Sequence, residues 1–246
     1  KSSSGSIHRC SQPLSGLQNN RSFDDEQLCL FITQTGKGQS YIIDTRPKLN
    51  AMANRAQGKG YEDDRFYKSS RCIFFPIENI HVVRESLEKF QEAIENPSTS
   101  TSCGFYDFQK AVKDSGWTQH LQSIISCALQ VSDWIRQGSA MILHCSDGWD
   151  RTSQVCGLVQ ILLDPYFRTV KGFCNLIEKD WCSFGHQFQH RLGQLNLIQY
   201  NPSHGSQNLE QEQSPIFCQW IECIYQILNL FPSAFEFDAD FLIFIN

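Results

Sequence analysis

Cys145 and Arg151 stand with five residues between them, and Asp150 is immediately before the arginine. A thiol, a guanidinium and a carboxyl at that spacing suit phosphoryl transfer. The sulfur can attack phosphorus, the planar cation can hold two phosphate oxygens and the charge of the transition state, and the acid can protonate the leaving alkoxide. The spacing alone says little, because a chain with eleven cysteines and eleven arginines holds about half such a match by chance. The flanks strengthen it. An apolar run, Ala140 to His144, leads in, and Val155, Leu158, Val159, Leu162 and Leu163 recur at helical spacing on the way out, until Asp164-Pro165.

A loop between a strand and a helix N-terminus points unpaired backbone N–H groups at one spot, which favours an anion. The same field stabilises a thiolate, so Cys145 is expected to ionise below the ordinary thiol value of about 8.5. Gly148 would let the backbone approach the phosphate, and His144 could orient the loop through its ring nitrogens. The competing reading, a buried inert thiol, suits Cys127, Cys156 and Cys223, which sit among apolar neighbours.

The positioning elements read as an α/β domain. Ser40 to Asp44, Cys72 to Phe75 and Ala140 to His144 have the short apolar character of buried strands. Val83, Leu87, Phe90 and Ile94 predict a helix after the second strand, and Leu121, Ile124, Ile125, Ala128 and Leu129 predict another running to about Ile135. Ser214-Pro215 reads as a cap with proline in the first turn, opening a helix whose buried face is Phe217, Trp220, Ile221, Ile224, Ile227, Leu228 and Phe231. Strands interleaved with helices imply one α/β domain. Two polar stretches, Pro97 to Ser102 and Asn201 to Gln213, read as linkers.

Composition excludes several classes. The longest apolar runs, such as Phe241 to Ile245, are far short of the roughly 20 residues that cross a bilayer. A net charge of −5 argues against a nucleic-acid surface, so an anionic substrate must be met by a focused site. The odd number of cysteines and the lack of a Cys-x-x-Cys pair argue against a disulfide scaffold or zinc ribbon and for a reducing, cytoplasmic compartment. Lys1 to Gly5 has no secretory h-region and the chain does not begin with Met, so it reads as an internal fragment or a processed product.

The run Cys-Ser-Asp-Gly-Trp-Asp-Arg-Thr, Cys145 to Thr152, resembles the active-site motif of the myotubularin phosphoinositide phosphatases. The likeness extends through Arg9 to Ser15, Asp44 to Arg55, Gly58 to Tyr61, Glu78 to Val82, Glu178 to Trp181, Ser183 to His186 and Phe231 to Phe237. The Arg-Thr-Ser-Gln and Ile-Glu-Lys-Asp-Trp wording is similar to the subgroup of myotubularin-related proteins six to eight.

The resemblance implies a protein-tyrosine-phosphatase-like cysteine-phosphatase fold. It implies removal of the 3-phosphate from phosphatidylinositol 3-phosphate, and from the 3,5-bisphosphate, with no metal or other cofactor. Cys145, Asp150 and Arg151 become the catalytic set, and Asn54, Asn79, Ile80, Ser146, Asp147, Gly148, Trp149 and Arg191 the substrate contacts. The implied partners are a phosphoinositide headgroup at an endosomal membrane surface, with the protein cytoplasmic and peripheral, and a second myotubularin-family chain. The family's PH-GRAM domain is not visible, and residues 1–246 read as a phosphatase domain incomplete at both ends.

Arg46, Lys48, Arg55 and Lys59 occur in a stretch without acidic residues and could focus positive potential on the substrate. Family members usually carry a second basic residue where this chain has Gln187, which disfavours the bisphosphate. His186 and His190, four apart, lack the third ligand of a metal site. Trp181 reads as core and Trp149 as core or lipid-facing. Two rivals stand beside the lipid phosphatase: a silent adaptor, which retention of Cys145, Asp150 and Arg151 opposes, and a protein tyrosine phosphatase, which would not require the Trp149-Asp150 wording.

Overall fold

The structure is a computed structural model that describes residues 5–95, 104–194 and 212–246. Four strands form one parallel sheet in the order β1 (Ser6–Cys10), β4 (Ala140–His144), β2 (Ser40–Asp44), β3 (Ser70–Phe74). All four therefore end on the same edge, where the crevice of a parallel sheet accepts ligands. The loops after β1, β2 and β3 meet the Cys145 loop there.

Period-two alternation sorts the strand residues between two faces. Ile43, Met141 and Leu143 face the larger core beneath α5 (Trp117–Arg136), α6 (Arg151–Leu163) and α9 (Ile216–Leu230). Ile42 and Ile142, in register with each other, face a small cluster with Cys29 of α1 (Phe23–Thr33). Because α6 is enclosed, Arg151 to Val159 are all buried. The helix that carries the loop's end is thus fixed by the core.

Of the expected strands, β2 and β4 have the bounds read from the sequence, while β3 starts at Ser70, two residues before Cys72, and stops one earlier at Phe74. β1 was not anticipated. Its sequence, Ser-Ile-His-Arg-Cys, has little apolar character because it is an edge strand, and four of its five residues are half-buried. The helix around Val83 is α3 (Ile80–Glu95), and that around Leu121 is α5. α9 begins differently from expectation: Pro215 occupies the N-cap, not the first turn, and the Ser214 hydroxyl donates to Ile80 O at 2.8 Å instead of capping the helix. Most of the two linker-like stretches lies outside the described residues.

The remaining helices are α2 (Lys48–Asn54), α4 (Gly104–Asp114), α7 (Val170–Ile177), α8 (Phe188–Arg191) and α10 (Ala239–Ile245). Between α7 and α8 the chain makes a π-turn, Glu178–Ser183. Trp181 in that turn is fully buried against Trp220 and Phe217, so it belongs to the core.

Candidate active site

A cleft of about 400 Å³ opens at the carboxyl edge of the sheet, lined by Asn79, Ile80, His81, Cys145, Ser146, Asp147, Trp149, Asp150, Arg151, Arg191, Glu212 and Ile216. Cys145 lies at its floor, 2 % exposed. Burial by itself pushes the thiol pKa up, but Arg151 and hydrogen bonds from the Thr152 hydroxyl and backbone outweigh it, leaving Cys145 below an ordinary thiol. Gly148 N also points at Sγ, 3.3 Å away. Cys10, Cys72, Cys127, Cys156 and Cys223 are all pushed up, mainly by burial. Only Cys145 among the described cysteines is shifted down.

The loop is held from three sides. Behind it, His144 Nδ1 lies 3.0 Å from Cys145 O, as expected of an orienting ring, and Nε2 lies 3.0 Å from Glu62 Oε2. Burial pulls the imidazole pKa down, yet the Glu62 carboxylate overcomes it and pushes His144 up to about 9. From β1, Arg9 Nη2 donates to Gly148 O at 2.5 Å and to Ser153 Oγ at 2.7 Å, while Nη1 donates to Asp180 Oδ1 at 2.9 Å. The π-turn thereby sets Asp180 against Arg9, and Arg9 sets the loop. After β1, Gln12 N donates to Ser146 O at 3.0 Å.

Gly148 is required for a reason other than phosphate approach. Its φ is +86°, and a Cβ there would meet Cys10 O at 2.5 Å. The turn is left-handed and packs on the end of β1, which only glycine tolerates.

Arg151 donates to Ser146 Oγ at 3.2 Å and to Ile77 O at 3.4 Å, and makes no ion pair with a carboxylate among the described residues. Its charge is therefore directed at the sulfur and at any oxyanion above it. Asp150 is more constrained. Arg191 donates to it through Nε at 3.2 Å and Nη2 at 2.9 Å, and His186 Nδ1 is 3.1 Å from Oδ1. Burial pushes this carboxyl up, but the His186 and Arg191 hydrogen bonds hold it below the usual carboxylate range. Arg191 also donates through Nη1 to Glu212 Oε2 at 2.8 Å.

Other expected contacts divide. Asn79 and Ile80 line the cleft, Asn79 also capping α3 by accepting from His81 N and Val82 N. Asp147 lines it and meets Lys59 at 3.5 Å. Trp149 lines the cleft, half-buried. Asn54 does not line it and donates instead to Gln12 Oε1 at 3.3 Å. The basic stretch is not a free cationic face. Arg46 is fully buried in an ion pair with Asp44 at 2.7 Å, and Arg55 donates to Gly16 O and to Asn19. Gln187 also stays off the cleft, its amide donating to Gly185 O at 2.8 Å. No three metal-ligating side chains cluster among the described residues, and His186 faces Asp150 instead. Glu62, Arg9, Asp180 and Glu212 escaped the residue reading, because distant pairings carry no local spacing signal. Arg9, Glu62 and Asp180 do fall within or beside the family-like runs.

Fold and site define a parallel α/β domain whose strand-loop-helix presents a buried, acidified cysteine and an arginine to a cleft. The chain matches the family model described as Myotubularin-like phosphatase domain over residues 1–246, and it belongs to that family. It is 46 % identical over 249 residues to the human protein named Phosphatidylinositol-3-phosphate phosphatase MTMR7, covering all of this chain and 35 % of that one. Chicken Phosphatidylinositol-3,5-bisphosphate 3-phosphatase MTMR8 is 45 % identical over all of this chain and 37 % of its own. Caenorhabditis elegans Phosphatidylinositol-3,5-bisphosphate 3-phosphatase MTMR6 is 44 % identical over 96 % of this chain and 33 % of its own. The chain thus spans about a third of the length of these relatives.

Proposed function

We propose that this protein removes the 3-phosphate of phosphatidylinositol 3-phosphate, and less readily that of the 3,5-bisphosphate, on a protein-tyrosine-phosphatase-like fold. The observation that carries this reading is the selective acidification of Cys145 at the floor of a cleft beside Arg151. The Cys145 thiolate attacks phosphorus, the P–O bond to the inositol breaks, and Asp150, once protonated, delivers its proton to the departing oxygen. Arg151 holds the equatorial oxygens of the transferring group throughout. Water then attacks the cysteinyl-phosphate, Asp150 takes up its proton, and phosphate and thiolate are released.

The lipid class rests on the relatives' names together with the site. No helix among the described residues is long and apolar enough to cross a membrane, in keeping with attachment to the surface of an endosomal membrane from the cytoplasm. Pairing with a second family chain completes the reading.

The test is phosphate release from dioctanoyl phosphatidylinositol 3-phosphate beside a phosphotyrosine peptide. Preference for the lipid is the expected result. Preference for the peptide would make the protein a tyrosine phosphatase, and no release from either would leave the adaptor reading.

A further inference from the structure

Among the described residues, Arg191 is the one cation beside the cleft whose every side-chain nitrogen is engaged by carboxylates on both sides. Asp150 takes Nε and Nη2 at 3.2 and 2.9 Å, and Glu212 takes Nη1 at 2.8 Å through Oε2. The two carboxylates differ in their access to water. The Asp150 side chain is 12 % exposed and also held by His186, whereas the Glu212 side chain is 47 % exposed and has no other side-chain partner among the described residues. Two carboxylates on one guanidinium leave this part of the cleft with a net negative charge before any ligand arrives. An incoming phosphate can reach Arg191 only by displacing one of them, and Glu212 is the one that gives up least by turning into solvent.

We propose that Glu212 sets substrate choice by competing with the ligand for Arg191. Resting on the lipid-phosphatase reading above, this assigns Glu212 as a specificity residue that discriminates against headgroups carrying a second phosphate beyond the one being cleaved. A monophosphate loses little when that side of the cleft is anionic, because its single phosphate is met by the loop and Arg151. A bisphosphate must evict a carboxylate and bear the repulsion of whatever remains. Gln187, turned to Gly185 O, adds no cation to offset it. The Glu212–Arg191 pair also ties the start of the segment leading into α9 to α8.

The experiment compares the full chain with Glu212→Gln and Glu212→Ala on dioctanoyl phosphatidylinositol 3-phosphate and 3,5-bisphosphate, short-chain lipids that remove general membrane attraction. The ratio of kcat/KM for the bisphosphate over the monophosphate should rise roughly 3- to 30-fold in both variants, with the rise shrinking as salt is added. An unchanged ratio, or an equal loss on both lipids, would make Glu212 a structural strap and overturn the inference. Binding of inositol 1,3,5-trisphosphate against inositol 1,3-bisphosphate to Cys145→Ser, with and without Glu212→Gln, reads the same difference without turnover. If no lipid is hydrolysed but this binding ratio still shifts, the hydrolytic reading fails and the assignment of Glu212 stands. If neither shifts, the assignment fails.

Discussion

His144 Nε2 lies 3.0 Å from Glu62 Oε2, with both side chains out of solvent, while its other nitrogen meets the carbonyl of Cys145. The imidazole is pushed up to about 9 from its ordinary 6.5, so it is an imidazolium at neutral pH and its Nδ1–H donates to the loop. A group raised on folding contributes stability that is complete below about pH 6.5 and lost as pH rises through about 9. Glu62→Gln keeps a hydrogen bond but removes the charge. Urea titration should therefore show the wild type's advantage over this variant to be larger at pH 6 than at pH 9.5. An advantage that is constant with pH would mean that His144 is neutral in the fold.

Gly148→Ala should destabilise by about 1 to 3 kcal/mol, the usual cost of a strained backbone position. The added Cβ would meet Cys10 O at 2.5 Å in a turn with φ +86°. Vanadate binding should fall more steeply than stability, since Gly148 N is also the donor 3.3 Å from the Cys145 sulfur. Chemical denaturation beside vanadate titration separates the two effects.

The core of this arrangement was legible because it is local. A strand, a loop and a helix that are contiguous in sequence carry Cys145, Gly148, Asp150 and Arg151, and apolar periodicity marks both flanks. What could not be read were the supports that arrive from elsewhere. Arg9 and Asp180 are 171 residues apart and Glu62 and His144 are 82 apart, so no window of sequence contains either pair. The misreading of Arg46 has a similar origin. In sequence it heads a basic stretch, but its guanidinium turns back on Asp44, two residues away, and is sealed in the core. β1 escaped because an edge strand needs little apolar surface to pair.

Cys145 should be the first cysteine alkylated at neutral pH, even though it is 2 % exposed and Cys174 and Cys182 are exposed. The reason is thiolate fraction: burial and Glu178 push Cys182 up, whereas Arg151 and Thr152 bring Cys145 down against its own burial. Iodoacetamide labelling read by mass spectrometry should place the fastest modification on Cys145, with vanadate protecting it. Cys145→Ser should abolish turnover and leave the unfolding transition in place. Faster labelling of another cysteine would remove the case for an acidified nucleophile.

Asp150 is held ionised by His186 and by the same Arg191 that faces the substrate cleft, so as a general acid it must first take up a proton. The negative charge of a phosphate bound beside it would raise the carboxyl back toward protonation at the moment a proton is needed. Two consequences can be measured. Asp150→Asn should lose far more activity on the lipid, whose inositol alkoxide needs a proton, than on para-nitrophenyl phosphate, whose leaving group departs unaided; a difference of roughly 100-fold or more is expected for a lost general acid. Arg191→Ala should instead show on the lipid's pH profile. With the Arg191 contact gone, the carboxyl rises and the alkaline limb of kcat/KM, where the acid loses its proton, shifts to higher pH. Equal losses from Asp150→Asn on both substrates would assign Asp150 to holding the loop, through Arg191 and His186, and not to the chemical step.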